Sequence, residues 1–302
     1  DGQTVSINIS SDAGGTPINT TATVNSNSYS LTGLDLSSLN DGILSITADV
    51  SDLAGNPATQ ASDTSNKDST PPTIALSSDS TSLKAGEIAI LSFTLSESST
   101  NFTESDIFFS GGTLSNFSGN DTSYSAQFTP REDSISNGVI SVASSRFSDL
   151  AGNINADGFD PNNSLTISID TLPPTISVAI NDGGDGFLNA AEDSSVTISG
   201  STSGVQDGQT VSINISSDAG GTPINSTATV NSNVYSVTGL DLSSLNDGTL
   251  TITADVSDLA GNAATQASDT STKDSSSPSI SVAINDGGDG RLNAAEASSV
   301  VI

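Results

Sequence analysis

The sequence predicts an all-β fold: tandem antiparallel β-sandwiches of the immunoglobulin kind, Greek-key in topology, each about 100 residues long and strung into an elongated rod. Three observations carry this. Apolar residues recur with period two, as in Ile176, Val178 and Ile180, in Val211, Ile213 and Ile215, and in Leu250, Ile252, Ala254 and Val256. A strand with one buried and one wet face reads this way. Turn residues, among them Asn40-Asp41-Gly42 and Asn246-Asp247-Gly248, punctuate the chain at strand-length intervals. Finally, residues 1–69 return as 207–275 with 62 of 69 positions identical, and residues 276–302 copy 172–198 at 21 of 27. Repetition of this kind marks an array of like domains.

Pro71-Pro72, Pro173-Pro174 and Ser277-Pro278 open successive units at spacings of 102 and 104 residues. Residues 1–69 are then the C-terminal part of one type A unit, 70–171 a complete unit of different sequence (type B), 172–275 a complete type A unit, and 276–302 the N-terminal part of another. Within each complete unit the pattern leaves room for seven strands. In type B, Ile88 and Ile90 share one face while Leu91, Phe93 and Leu95 share the other, which predicts a β-bulge near Ile90. Leu34–Leu39 and Leu240–Leu245 read as single helical turns linking strands. The links between units are short and proline-bearing. Proline fixes φ and restricts the residue before it, so they read as stiff joints between neighbouring units of the same chain. The partial units suggest head-to-tail strand complementation between chains, with residues 276–302 of one copy completing 1–69 of the next.

Six Lys and Arg against 35 acids give a net charge of −29 over 302 residues. Phosphate binding needs clustered cations, so a nucleic-acid partner and an anionic membrane surface are both excluded. The apolar runs are too short for direct membrane insertion. Calcium ions are the natural counterpart of such an acidic chain. With neither His nor Cys, the commonest catalytic base and the best nucleophile are missing, and the chain does not read as an enzyme. Tyr29, Tyr124 and Tyr235 fall inside strand patterns, as core or rim.

Two motifs could hold Ca2+. Asn181-Asp182-Gly183-Gly184-Asp185-Gly186-Phe187-Leu188-Asn189-Ala190-Ala191-Glu192 has the spacing of a twelve-residue calcium loop. Asn181, Asp185, Asn189 and Glu192 offer side-chain oxygens, Phe187 a carbonyl, Gly186 the sharp turn, and Asp182 a substitute ligand where Gly183 has none. The loop recurs with Asn285, Asp286, Asp289, Asn293 and Glu296. An Asp/Gly-rich turn without metal is the alternative. The second motif, Ser-Asp-Leu-Ala-Gly-Asn, contributes Asp52 and Asn56, Asp149 and Asn153, and Asp258 and Asn262, with Asp49 and Asp255 three residues ahead of the type A copies. It reads either as a turn whose Asp caps backbone N–H groups, or as a pole of the domain where it meets Asp68, Asp170 or Asp274 of a linker across a cation. Asp157–Asn163 is a further acidic loop that reads mainly as solvated.

These strings together resemble the tandem bacterial immunoglobulin-like extender domains of giant repetitive surface adhesins, including RTX adhesins. In type A the resemblance rests on Gly184–Glu192, Val196–Gly200 and Ala254–Asn262; in type B on Leu83–Glu87, Phe93–Glu97 and Ser148–Asn153. It implies type I secretion, calcium-stiffened linkers, and an extracellular, cell-surface spacer that projects a distal ligand-binding domain for adhesion or biofilm formation. The competing class is a carbohydrate-binding or accessory module of a secreted polysaccharide-active enzyme.

Overall fold

The computed structural model describes residues 1–157 and 160–302, and the regular secondary structure is almost wholly strand, with three short 3-10 turns. It divides into two compact units, Asp1–Thr171 and Leu172–Ile302. No helix among the described residues is long and apolar enough to cross a membrane.

The first unit opens with four strands, β1 (Thr4–Ser11), β2 (Ile18–Thr23), β3 (Gly42–Asp49) and β4 (Ala61–Lys67), in one antiparallel sheet of order β2-β1-β3-β4. Val5, Ile7, Ile9 and Leu44 alternate with polar residues and form a small core of their own.

Seven strands follow. β5 (Ile74–Ser78), β7 (Ala89–Ser99) and β9 (Gly112–Pro130) make one sheet. β6 (Ser82–Lys84), β11 (Ser164–Asp170), β10 (Gly138–Val142) and β8 (Ile107–Ser110) make the other, in that order. The opening strand is split between the sheets. β5 runs antiparallel to β7, whereas β6 crosses over and pairs parallel with the last strand, Ser82 opposite Ser168. The two sheets enclose Leu91, Phe93, Phe128, Ile140 and Ile167, with an aromatic knot in which Phe102 meets Tyr124 and Phe147 edge-on at 5.1 and 5.2 Å.

The bulge expected near Ile90 is absent. Register runs unbroken from Ala89 to Thr94, and the irregularity lies between Thr94 and Ser99. Ile90, on the wet side of β7, and Ile88, just before the strand begins, are simply exposed apolar residues, so the pair carries no register information.

The second unit holds β12 (Thr175–Ile176), β13 (Ala179–Asn181), β14 (Phe187–Leu188), β15 (Val196–Ser203), β16 (Thr210–Ser217), β17 (Ile224–Thr229), β18 (Val234–Leu240), β19 (Gly248–Asp255) and β20 (Ala267–Lys273). β12, β13 and β18 flank β15 in one sheet; β14-β20-β19-β16-β17 is the other. The opening strand splits again, with β14 parallel to β20. Gly200 sits where the sheet is tight: a Cβ there would collide with the Ser177 carbonyl oxygen and press on the Tyr235 ring. The Tyr235 hydroxyl donates to that same Ser177 carbonyl at 2.6 Å, and burial pushes its pKa up to about 12, which keeps it a donor.

Both complete bodies are thus immunoglobulin-like β-sandwiches. The repeat also exposes the limit of local sequence. Val234–Leu240 is a strand because β15 lies beside it, Gly200 opposite Tyr235. Its copy, Ser28–Leu34, forms no strand, and residues 1–69 contain no copy of β15.

Candidate metal centre

The linker Lys67–Pro72 is held at its start by Asp41. That carboxylate accepts Lys67 Nζ at 2.6 Å, the Ser69 N–H at 3.0 Å and the Thr70 hydroxyl at 2.9 Å. The lysine and these hydrogen bonds hold the Asp41 carboxyl far below the usual carboxylate range. In the second unit Asp247 takes Ser275 and Ser276 hydroxyls at 2.8 and 3.1 Å. The turn signal Asn-Asp-Gly therefore supplies a linker anchor.

The Ser-Asp-Leu-Ala-Gly-Asn motif folds identically in its three copies. Asp149 Oδ1 accepts the Asn153 N–H, and Asp149 Oδ2 accepts the Asn153 side-chain amide, both at 2.8 Å. Asp52 with Asn56 and Asp258 with Asn262 repeat this clamp. Leu53, Leu150 and Leu259 stand exposed at the loop tips. In the type B body the loop lies at the pole where the linker enters, and the Asn153 amide also donates to the Asp68 carbonyl at 3.2 Å. Glu97, near the end of β7, completes the set. One carboxylate oxygen each from Asp68, Glu97 and Asp149 lies within 4.8 Å of the others, the only such group of three among the described residues.

The electrostatics of the three differ. Burial raises the Glu97 carboxyl above its ordinary value, and the charges of Asp68, Asp149 and Asp41 raise it further. Burial acts the same way on Asp149, but the hydrogen bonds from Asn153, Gly152 and Ala151 outweigh it, and its carboxyl sits below the ordinary value. Three hard oxygen donors from a linker, a strand end and a loop fit a cation of the calcium type, which takes six to eight oxygens in flexible geometry.

The other sequence candidates lie elsewhere. Asp49 and Asp255 accept Gln60 and Gln266 amides at 2.9 and 2.8 Å across their hairpins. Asp170 stands opposite Lys84 in the parallel ladder. Asp274 caps the Ser276 N–H at 3.1 Å, and its own N–H donates to Leu188 O at 3.0 Å. The twelve-residue loop joins β13 to β14 and continues beyond it. Asn181, Asp182, Asp185 and Asn189 each accept the N–H of the residue two positions on. Glu192 Oε2 accepts the Asn189 N–H at 3.0 Å. Gly183, at φ +79°, leaves room for the other Glu192 oxygen. Residues 285–296 repeat these bonds through Asn285, Asp286, Asp289, Asn293 and Glu296. Asp182, Asp185 and Glu192 do not converge as the junction carboxylates do. The Asp157–Asn163 loop runs through Gly158 and Phe159, which lie outside the described residues. Asp157 itself is buried, with Oδ2 accepting the Ile74 N–H at 2.7 Å.

Sequence reading named Asp68, Asp149 and Asn153 but missed Glu97. Glu97 breaks the apolar alternation of β7 only after Leu95, and nothing local ties it to a loop fifty residues away.

Comparison with known proteins places this site in context. The family model for the bacterial Ig-like domain matches residues 68–169, the stretch that begins at Asp68 and contains Glu97 and Asp149. No curated protein matches the chain. Among solved structures, a tetra-tandem repeat from the extending region of a large adhesion protein is 27% identical, with a TM-score of 0.35, over 91% of this chain and 68% of that one. The D00-D0 domain of intimin is 16% identical at TM-score 0.32, over 66% of this chain and 98% of its own. Titin domains I67–I69 are 12% identical at TM-score 0.37, over 89% and 86%.

Proposed function

We propose that this chain is part of a spacer in a secreted, cell-surface adhesin, and that Ca2+ held by Asp68, Glu97 and Asp149 stiffens the joint entering the type B body. The observation that carries the reading is the convergence of three carboxylates from the linker and from two separate elements of the body it leads into. Like charges brought this close repel unless a cation lies among them. The tandem copies favour a role that gains from length, since near-identical units add reach without adding new chemistry. The family match over residues 68–169 supports the bacterial setting. A bound cation would neutralise part of the cluster and tie linker to body. It would stabilise the folded state by mass action, with dissociation constants of about 10⁻⁴–10⁻³ M for extracellular modules.

The test is small-angle scattering and thermal unfolding of the chain with millimolar calcium and then with excess chelator, repeated on Glu97→Gln. Chelation should shorten or loosen the particle and lower its Tm, and Glu97→Gln should blunt both responses. If chelation changes neither dimensions nor Tm, the reading fails.

A further inference from the structure

Asp157 carries a buried carboxyl that the body around it pairs only in part. The residue is 3% exposed. Its Oδ2 accepts the Ile74 N–H at 2.7 Å, whereas Oδ1, equally shut off from solvent, has no hydrogen-bond partner among the described residues. No ion pair among the described residues involves Asp157. The neighbouring Asn155 side chain is largely committed elsewhere: its oxygen accepts the Arg146 and Phe147 N–H groups at 2.7 and 3.1 Å, and its amide donates to Ala143 O at 3.0 Å. Buried polar atoms are nearly always paired, and a buried carboxylate without a counter-charge is costly. Burial accordingly holds the Asp157 carboxyl above its ordinary value, although the Ile74 N–H and Asn155 pull it down, and the charge of Asp160 raises it further.

The surroundings are rich in oxygen. Asp157 lines a hollow with Thr73, Ser144, Ser145 and Asp160. Asp160 is exposed and caps the single 3-10 turn Pro161–Asn163, accepting the Asn162 N–H at 3.2 Å. The Asp160 N–H and the Asn163 amide donate to the Asp157 carbonyl at 2.8 and 3.1 Å, which keeps the two acidic residues together. The sandwich does not need this loop in order to close. From the Asn of the Ser-Asp-Leu-Ala-Gly-Asn motif to the linker Asp, type B is five residues longer than type A, and type A has Gln266 where type B has Asp157. The added residues bring two carboxylates to the start of β5, where the Ala156 N–H donates to Pro72 O at 3.4 Å.

We infer that Asp157 Oδ1 and the Asp160 carboxylate bind a second cation of the calcium type in the type B body, with oxygens of Thr73 and Ser145 and water completing its shell. The ion supplies the positive charge that Oδ1 lacks. It shares no ligand with the Asp68, Glu97 and Asp149 centre, so the two sites fill independently. Its effect is on the body itself: it fastens the loop ahead of β11 to the first residues of β5.

The experiment is a calcium chloride titration of the full chain followed by amide NMR, with the side-chain carboxyl carbon of Asp157 read at pH 7 in the same samples. Calcium should shift the amides of Ile74 and Asp160. Asp160→Asn, which can still cap the turn, should weaken that response at least about tenfold. Asp157→Asn, which keeps an acceptor for the Ile74 N–H, should abolish it. Glu97→Gln should leave it unchanged. The inference is overturned if these amides do not move by ~10 mM calcium, about ten times the weakest dissociation constant usual for extracellular modules. Shifts that survive both Asp variants overturn it as well, as does their loss in Glu97→Gln, which would assign them to the junction. An Asp157 carboxyl that stays protonated throughout the titration also overturns it, since a proton then satisfies Oδ1.

Discussion

Asn153 donates its side-chain amide to the Asp68 carbonyl at 3.2 Å, fastening a loop of the type B body to the linker that enters it. The same amide holds Asp149 Oδ2 at 2.8 Å, so one side chain sets both the path of the linker and the aim of a candidate ligand.

Replacing Asn153 with Ala removes both bonds. A side-chain hydrogen bond to a charged group contributes about 1.5–3 kcal/mol, so urea unfolding should show a loss of roughly that size. Calcium stabilisation should fall with it, because Asp149 loses its fixed orientation. Asn153→Asp separates the two roles: it should cost stability in chelator and recover part of it in calcium.

The pH dependence has two opposite limbs. Without calcium, the raised Glu97 carboxyl makes the folded state hold a proton more tightly than the unfolded chain. Stability from this group is therefore fully present below its unfolded value near 4.5 and declines as pH rises through the folded value. Asp149 and Asp247 are lowered, so their contribution is present above 3.8 and is lost as pH falls through their folded values. Urea midpoints measured from pH 3 to pH 7 should show the upper limb disappear in Glu97→Gln while the lower limb persists.

Lys273 is almost fully buried between Asp193 at 3.2 Å and Asp247 at 3.5 Å, and donates to Leu245 O at 2.9 Å. Removing one partner of a buried pair leaves an uncompensated charge and costs about 3–5 kcal/mol. Lys273→Met should destabilise the second unit by that order in chemical denaturation. Lys67→Met should cost clearly less, because Lys67 and Asp41 keep more solvent contact.

Gly200→Ala should rank among the most destabilising single changes in the second unit. The added methyl meets backbone at Ser177 and the Tyr235 ring together, and neither yields without parting two strands. Tyr235→Phe removes only the hydroxyl that binds Ser177 and should cost about 0.5–1.5 kcal/mol, the net contribution of one hydrogen bond to a carbonyl that solvent can still reach. Thermal unfolding of the two variants should keep that order.

Much of the fold was legible because the solvent-facing and core-facing residues of Val211–Ile215 and Leu250–Val256 alternate without exception. The turn glycines sit where the chain reverses. What escaped was whatever depends on a partner far away in sequence. Ser28–Leu34 and Val234–Leu240 differ at only two positions, yet only the second finds a neighbouring strand. Ile88 and Ile90 look like a core pair and are not, since an exposed isoleucine suits a strand as well as a buried one. At the candidate centre, Asp149 and Asn153 announced themselves by motif, whereas Glu97 acts only through the packing that brings the end of β7 beside the linker.

The parallel pairing of the split opening strand with the closing strand, Leu83 beside Ile169 and Leu188 beside Lys273, bears on how each body responds to force. Pulled by its two ends in opposite directions, a body of this topology loads those hydrogen bonds in shear, all at once, rather than unzipping them one by one. The bonds between first and last strands are then the mechanical clamp of each sandwich. A tether assembled from such bodies would yield in discrete steps, one body at a time.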